Sequence, residues 1–156
     1  MSGKKKNAEV RGVLMPLNAG QLLLPNILMS EVIGYREPDE IPSEAPDWLL
    51  GIMVWRHLPV PVVSFDALLG AHDQEVGHRA RIALCKTISE NSKRPFTAFL
   101  LQSIPRLVRV TEKSISVITS DKEQHPLLAH YVKINDQEAW IPDLVALEKS
   151  LEKTLG

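Results

Sequence analysis

The sequence predicts an all-β chain, mainly strands with one C-terminal helix, and three observations carry that prediction. Short apolar runs recur along most of the chain at the two-residue period of a strand, with clusters of Asn, Gly, Ser, Asp and Pro between them. Pro59 and Pro61 fall inside one such run, which suits a β edge and breaks a helix. A helical period appears only at the end, where Leu144, Leu147, Leu151 and Leu155 step by threes and fours.

Taken in order, Val10 to Leu17 and Gln21 to Leu24 flank Asn18-Ala19-Gly20, a loop with the residues a tight reversal needs. They form the expected opening hairpin. Asn26 to Tyr35 is apolar with a mixed period and fits either a short helical turn or a strand. From Glu37 to Asp47, Pro38, Pro42 and Pro46 stand among acidic residues, so this stretch is expected to be a surface loop. Trp48 to Val54 and Leu58 to Phe65 are the next strands. The two prolines place the second at a sheet edge or at a bulge. Gly51, between Leu49-Leu50 and Ile52-Met53, marks a bulge, a close backbone approach, or a mere gap in the strand.

Ser64 or Asp66 is placed to cap a turn through Ala67-Leu68-Leu69, which Gly70 ends. Residues 71–79 are polar and suit a linker. Arg79 to Thr87 alternates, with Ile82, Leu84 and Lys86 on one face and Ala83 and Cys85 on the other. Phe96 to Gln102 follows a polar turn cluster and completes a second hairpin. Leu107 to Val110 and Ser114 to Ile118 are further short strands. Leu128 to Ile134 and Glu138 to Ile141 flank Asn135-Asp136-Gln137 as a third hairpin. Asp143, after Pro142, caps a helix of about twelve residues, which must dock on the body to persist. Many short, closely spaced strands favour small barrels over a long-stranded sandwich.

Composition narrows the function. Of 156 residues 44% are apolar, enough for a sizeable core, and the formal net charge of -1 points to neither nucleic acid nor anionic lipid. Eight aromatic residues (three Trp, two Tyr, three Phe) form no basic, aromatic-interleaved stripe of the kind an RNA-binding barrel shows. Lys4, Lys5 and Lys6 are expected to belong to a frayed tail, being too few to hold a membrane. No signal-peptide pattern or membrane span is visible, so the expected location is the cytoplasm.

Cys85 is the only cysteine, which excludes an intrachain disulfide and a thiolate cluster. It sits in a strand pattern and is expected to be a buried, inert thiol. His57, His72, His78, His125 and His130 lack the spacing of metal ligands and are expected at the surface. No phosphate loop, nucleophile elbow or carboxylate pair on one regular face is present. No catalytic residue, cofactor site or metal site is expected. Arg56 stands out as a lone charge inside the apolar stretch Trp48 to Phe65. It is either a solvated turn residue or a structural or interface arginine whose planar fork is held by carbonyls or a carboxylate.

At this stretch the chain resembles the CheW-like coupling proteins. That family's centre runs through a glycine, a short strand, Asn-Leu-Arg-Gly, an apolar strand containing Pro-Val or Pro-Ile, then Asp-Leu and a short turn. Here the matching residues are Gly51, Val54-Trp55-Arg56-His57, Pro61-Val62-Val63-Ser64-Phe65 and Leu68-Leu69-Gly70. Pro46 stands before the glycine, and Met29-Ser30-Glu31-Val32-Ile33-Gly34-Tyr35 resembles the stretch leading into the family's first long loop. The resemblance covers Val10 to Leu151, with the second half matching by pattern.

The resemblance implies two SH3-like five-stranded barrels on a shared apolar core, with residues 1–9 as a tail and 10–156 as one domain of two intertwined barrels plus a helix. It implies a non-catalytic adaptor in chemotaxis signal transduction. One barrel would bind a CheA-type histidine kinase, and the groove between barrels would take the cytoplasmic tip of a methyl-accepting chemoreceptor. Carried over by motif position, the receptor-side residues are Met29, Glu31, Gly51 and Arg56. The kinase-side residues are not specified. The chain departs from the pattern at His57, where the family has glycine, at Ser64, where it has an acid, and at Pro105, Arg106 and Arg109 in the segment 103–113. These departures point to diverged partners, as in a system for surface motility or type IV pili. The competing expectation is a free-standing β-barrel module for nucleic acid or a small ligand.

Overall fold

The computed structural model describes residues 9–70, 76–89, 93–118 and 125–156. The strands expected from alternation form there. In the first half they are β1 (Glu9–Pro16), β2 (Gln21–Pro25), β3 (Met29–Gly34), β4 (Leu49–Trp55) and β5 (Leu58–Val63). In the second half they are β6 (Arg81–Lys86), β7 (Phe96–Leu101), β8 (Arg106–Thr111), β9 (Ile115–Val117), β10 (Leu128–Ile134) and β11 (Gln137–Pro142). A short helix α1 (Phe65–Leu68) follows β5, and α2 (Leu144–Leu155) ends the chain. Between Asn26 and Tyr35 both readings hold in succession, because a 3-10 turn over Asn26–Leu28 runs straight into β3. The expected tail falls mostly on residues 1–8, outside the described residues, but Glu9 already pairs with Thr111 and belongs to β1. Lys4, Lys5, Lys6 and His72 lie outside the described residues, as does much of the expected linker.

The strands make two sheets, ordered β8-β1-β2-β11-β10-β9 and β3-β6-β7-β5-β4. In the first, β8 and β9 stand at opposite ends, yet only Glu112, Lys113 and Ser114 separate them. A flat six-stranded sheet is about 24 Å across. Four Cα steps reach only about 14 Å. The sheet must therefore curl until its ends meet, which is a barrel. It has six strands where five were expected, because the chain from 106 to 117 bends through that turn and supplies both ends.

Period-two alternation explains how three cores coexist. Val13 and Met15 of β1, and Leu22 and Leu24 of β2, face a shared core, while Leu14 and Leu23 fill the first barrel. In the second barrel, Ala83 and Cys85 of β6, and Phe99 and Leu101 of β7, face the same shared core. Ile82, Leu84, Ala98 and Leu100 point the other way, into that barrel's own interior. β6 and β7 are thus buried on both faces.

α2 seals the shared core with Leu147 and Leu151, while Leu144 and Leu155 pack at its margin, as the stripe predicts. Asp143 caps it by accepting from the Ala146 N–H at 3.0 Å. Glu148, on the same helix, is buried and accepts the N–H groups of Ile88 at 2.7 Å and Ser89 at 2.9 Å, fixing the exit of β6 to the helix.

The placement of β5 needs correction. β5 is not an edge strand: β4 lies on one side and β7 on the other. The prolines are tolerated because β7 pairs only with Val62 and Val63, whereas Pro59 and Pro61 face β4 alone. The bulge in that ladder falls on the β4 side, between Leu49 and Gly51. At α1 the cap is Ser64, whose Oγ accepts from the Ala67 N–H at 3.3 Å. Asp66 instead turns inward and is 1% exposed.

Candidate functional site

In the second sheet β3 and β4 are the end strands, so closing it into a barrel brings β3 against the β4–β5 hairpin. Arg56 and His57 form the two-residue turn of that hairpin, between the paired residues Trp55 and Leu58. Both have positive φ, 51° and 65°, as a type I′ turn requires. Asn-Gly would adopt this turn with little strain, whereas each ordinary L-residue in the left-handed region costs about 1–2 kcal/mol.

The turn aims Arg56 back across the seam. Its Nη2 donates to Glu31 Oε1 on β3 at 2.7 Å, joining residues 25 apart in sequence. Its Cζ lies 4.4 Å from the centroid of the Trp55 ring. The Trp55 ring is itself buried, edge-on to Phe96 with centroids 4.9 Å apart, and serves as a fixed platform. Arg56 is thus an exposed turn residue, as one reading from sequence has it, and one guanidinium N–H is bonded to a carboxylate. Its side chain remains 65% exposed and that of Glu31 37%. An exposed ion pair contributes at most about 1 kcal/mol, and an exposed cation–π contact about 0.5–1 kcal/mol. Together they scarcely offset the strain of the turn. The arrangement orients a guanidinium more than it stabilises a fold. The remaining guanidinium N–H groups have no acceptor among the described residues and face outward.

The other two motif residues have different neighbours. Met29 is half-buried and packs against the shared core, with the Cys85 Sγ 3.7 Å from its Sδ. Burial pushes the Cys85 thiol up to about 12, which agrees with an inert cysteine. Gly51 is buried under the segment that follows β3. A Cβ there would lie 2.5 Å from the Glu40 carbonyl oxygen and 2.6 Å from Pro38 Cβ, and its φ is +149°. Gly51 is thus a close-approach glycine at a bulge, and it acts on the surface through the loop above it.

That loop, expected at the surface, forms a bridge with β4. Ile52 donates to the Glu40 carbonyl at 2.7 Å, and Asp39 and Glu40 donate back to the Ile52 carbonyl at 2.9 and 3.1 Å. Asp39 Oδ2 accepts the Val54 N–H at 2.7 Å, and Arg36 donates to the Val54 carbonyl. Sequence reasoning missed Asp39 and Trp55, and it considered Asp66 only as a cap, whereas its carboxylate accepts the Asn18 and Ala19 N–H groups. Trp55, adjacent to Arg56, carried a usable signal; the partners of the two aspartates lie far away in sequence.

Among the described residues no group of three His, Cys, Asp or Glu side chains is placed to hold a metal ion. No helix among them is long and apolar enough to cross a membrane.

Comparison with curated protein sequences gives no match. Among solved structures, the chain is similar to the crystal structure of the scaffolding protein TtCheW from Thermoanaerobacter tengcongensis. The TM-score is 0.70 at 17% identity, over 86% of this chain and 89% of that one. That likeness concerns the fold. The model of the CheW-like domain matches residues 11–152, nearly the whole of both barrels and most of α2. With β content dominant, a C-terminal helix and two curled sheets on one core, the chain belongs to the CheW-like domain family.

Proposed function

We propose that the chain is a non-catalytic cytoplasmic scaffold that couples the tip of a methyl-accepting chemoreceptor to a CheA-type histidine kinase. Membership of the CheW-like family supports the class of function. The observation that carries the site is the convergence of Glu31 and Arg56, which come from opposite ends of one sheet and meet at 2.7 Å on an exposed surface. The receptor-side surface is centred on this pair. Met29 packs on the shared core at the start of β3, and Gly51 lets the loop lie close over β4. The diverged residue His57, exposed in the turn, suits partners in a specialised system for surface motility or pili.

A second surface suits the kinase. Ile88 and Val145 are 41% and 50% exposed, the first beside and the second on the N-terminal half of α2. Glu148 ties Ile88 to that helix, and Ser89 and Val145 line one shallow recess on it. Exposed apolar side chains gathered on one face mark a protein interface.

The test is binding of the purified chain to a receptor-tip peptide bundle and to the kinase regulatory domain, with single-stranded RNA as the comparison. Binding to both proteins and not to RNA is expected. RNA binding without protein binding contradicts the proposal.

A further inference from the structure

The seam of the second barrel is closed at three levels along β4. At one end, Ile52 exchanges backbone hydrogen bonds with Asp39 and Glu40. At the other, Arg56 in the turn meets Glu31 through side chains alone. Val54 lies between them. Its N–H donates to Asp39 Oδ2 at 2.7 Å, and its C=O accepts from Arg36 Nη2. Two side chains thus do for Val54 what the backbone of residues 39 and 40 does for Ile52.

The strand on the other side of β4 does not supply these bonds. Ile52 and Val54 stand opposite Pro61 and Pro59, and proline has no N–H to give. The backbone groups of Ile52 and Val54 point instead across the seam. The N–H of Val54 belongs to the peptide unit before it and the C=O to the unit after it. Each unit is planar, so holding both groups fixes two successive planes on the way into the turn. Arg56 follows two residues later, with only Trp55 between, and the Trp55 ring is already fixed against Phe96. Arg36 and Asp39 are both exposed. Water competes for their bonds, so they add little to the stability of the whole chain.

We propose that Arg36 and Asp39 are positioning residues for Arg56. By holding the peptide units on either side of Val54, they set the direction in which the turn aims the guanidinium over Trp55 and toward Glu31. The consequence for binding rests on the receptor-side reading; the positioning itself does not.

The experiment compares the full chain with Asp39→Ala, Asp39→Asn and Arg36→Ala, first alone and then with the receptor tip. In the free chain, NMR follows the side-chain protons of Arg56, which the Trp55 ring current displaces, and the exchange of the Val54 amide. Asp39→Ala is expected to speed that exchange about tenfold. Both alanine variants are expected to return the Arg56 protons toward their shifts in an unstructured chain, with melting temperatures within a few degrees of wild type. Asp39→Asn should restore both signals, because its amide oxygen accepts the same N–H. Each alanine variant should weaken receptor-tip binding roughly threefold to tenfold, and should weaken it no further in a chain that already carries Arg56→Ala. Arg56 shifts unchanged in both alanine variants overturn the proposal. Binding losses that add in full to that of Arg56→Ala also overturn it, since the two residues then act without Arg56. If the Arg56 shifts move while the receptor tip fails to bind even the wild type, the positioning stands and the receptor-side reading fails.

Discussion

Asp66 of the second barrel holds the hairpin loop of the first: its Oδ1 accepts the Ala19 N–H at 2.7 Å, and its Oδ2 accepts the Asn18 N–H at 3.0 Å. The carboxylate is almost fully buried, and the two backbone groups lie 47 and 48 residues away in sequence. Gln102 donates its backbone N–H to the Pro16 carbonyl at 2.9 Å, so two polar joints tie the second barrel to the β1–β2 hairpin.

Removing that carboxylate takes the acceptor from two N–H groups and leaves a buried position empty. Asp66→Ala is expected to destabilise the chain by about 2–4 kcal/mol. Asp66→Asn should cost less, because one acceptor oxygen remains. Urea unfolding checks this through the midpoint at constant slope; a midpoint unchanged in Asp66→Ala contradicts it.

Gly51→Ala puts a Cβ where the Glu40 carbonyl and Pro38 already sit. Displacing backbone at a left-handed position costs about 2–4 kcal/mol. The melting temperature should fall, and the amides of Ile52 and Val54 should exchange faster than those of β6. A wild-type melting temperature contradicts the close approach.

His57→Gly relieves one of the two strained turn residues. The side chain is exposed, so little contact is lost, and a gain of about 0.5–1 kcal/mol is expected. Thermal unfolding measures it, and a loss of stability contradicts the turn assignment.

Alkaline pH tests two further groups. Burial raises the Cys85 thiol from 9.0 to about 12. The folded state holds this proton more tightly than the unfolded state. Its contribution to stability is therefore complete below about pH 9 and is lost as pH rises toward 12. Iodoacetamide at pH 8 should label Cys85 no faster than the chain opens; labelling at the rate of a free thiol contradicts the burial. Tyr131 is raised from 10.0 to about 12, first by its hydrogen bond to Glu138 and then by burial and the Glu138 charge. Glu138→Gln should bring its absorbance titration back toward 10.0.

The strands and the helix were legible because alternation and the leucine stripe are local signals. Which core each face of β6 serves was not, since Ile82 and Leu84 on one side and Ala83 and Cys85 on the other are all apolar. The six-stranded count was hidden because residues 106–117 look like two ordinary short strands until the sheet order shows them at its two ends. Pro59 and Pro61 suggested an edge strand because sequence does not reveal how few residues of β5 the neighbour β7 reaches. The motif placed Glu31 and Arg56 on one surface, but their contact depends on barrel closure. Asp66 and Glu148 look like ordinary polar residues, since their N–H partners are tens of residues distant.

The central claim is that Arg56 is presented by the turn, by Glu31 and by Trp55 for a partner, and contributes little to the fold. The most direct measurement is the affinity of wild type, Arg56→Lys and Arg56→Ala for the receptor tip, each with a melting curve. Truncation of an interface arginine costs about 2 kcal/mol or more, roughly thirtyfold in affinity. The account predicts that loss for Arg56→Ala, and a smaller one for Arg56→Lys, which keeps the charge without the fork. Melting temperatures should stay within a few degrees of wild type, because the ion pair is exposed. Equal affinities for all three proteins would contradict the account, as would a binding loss matched by a collapse of the melting temperature.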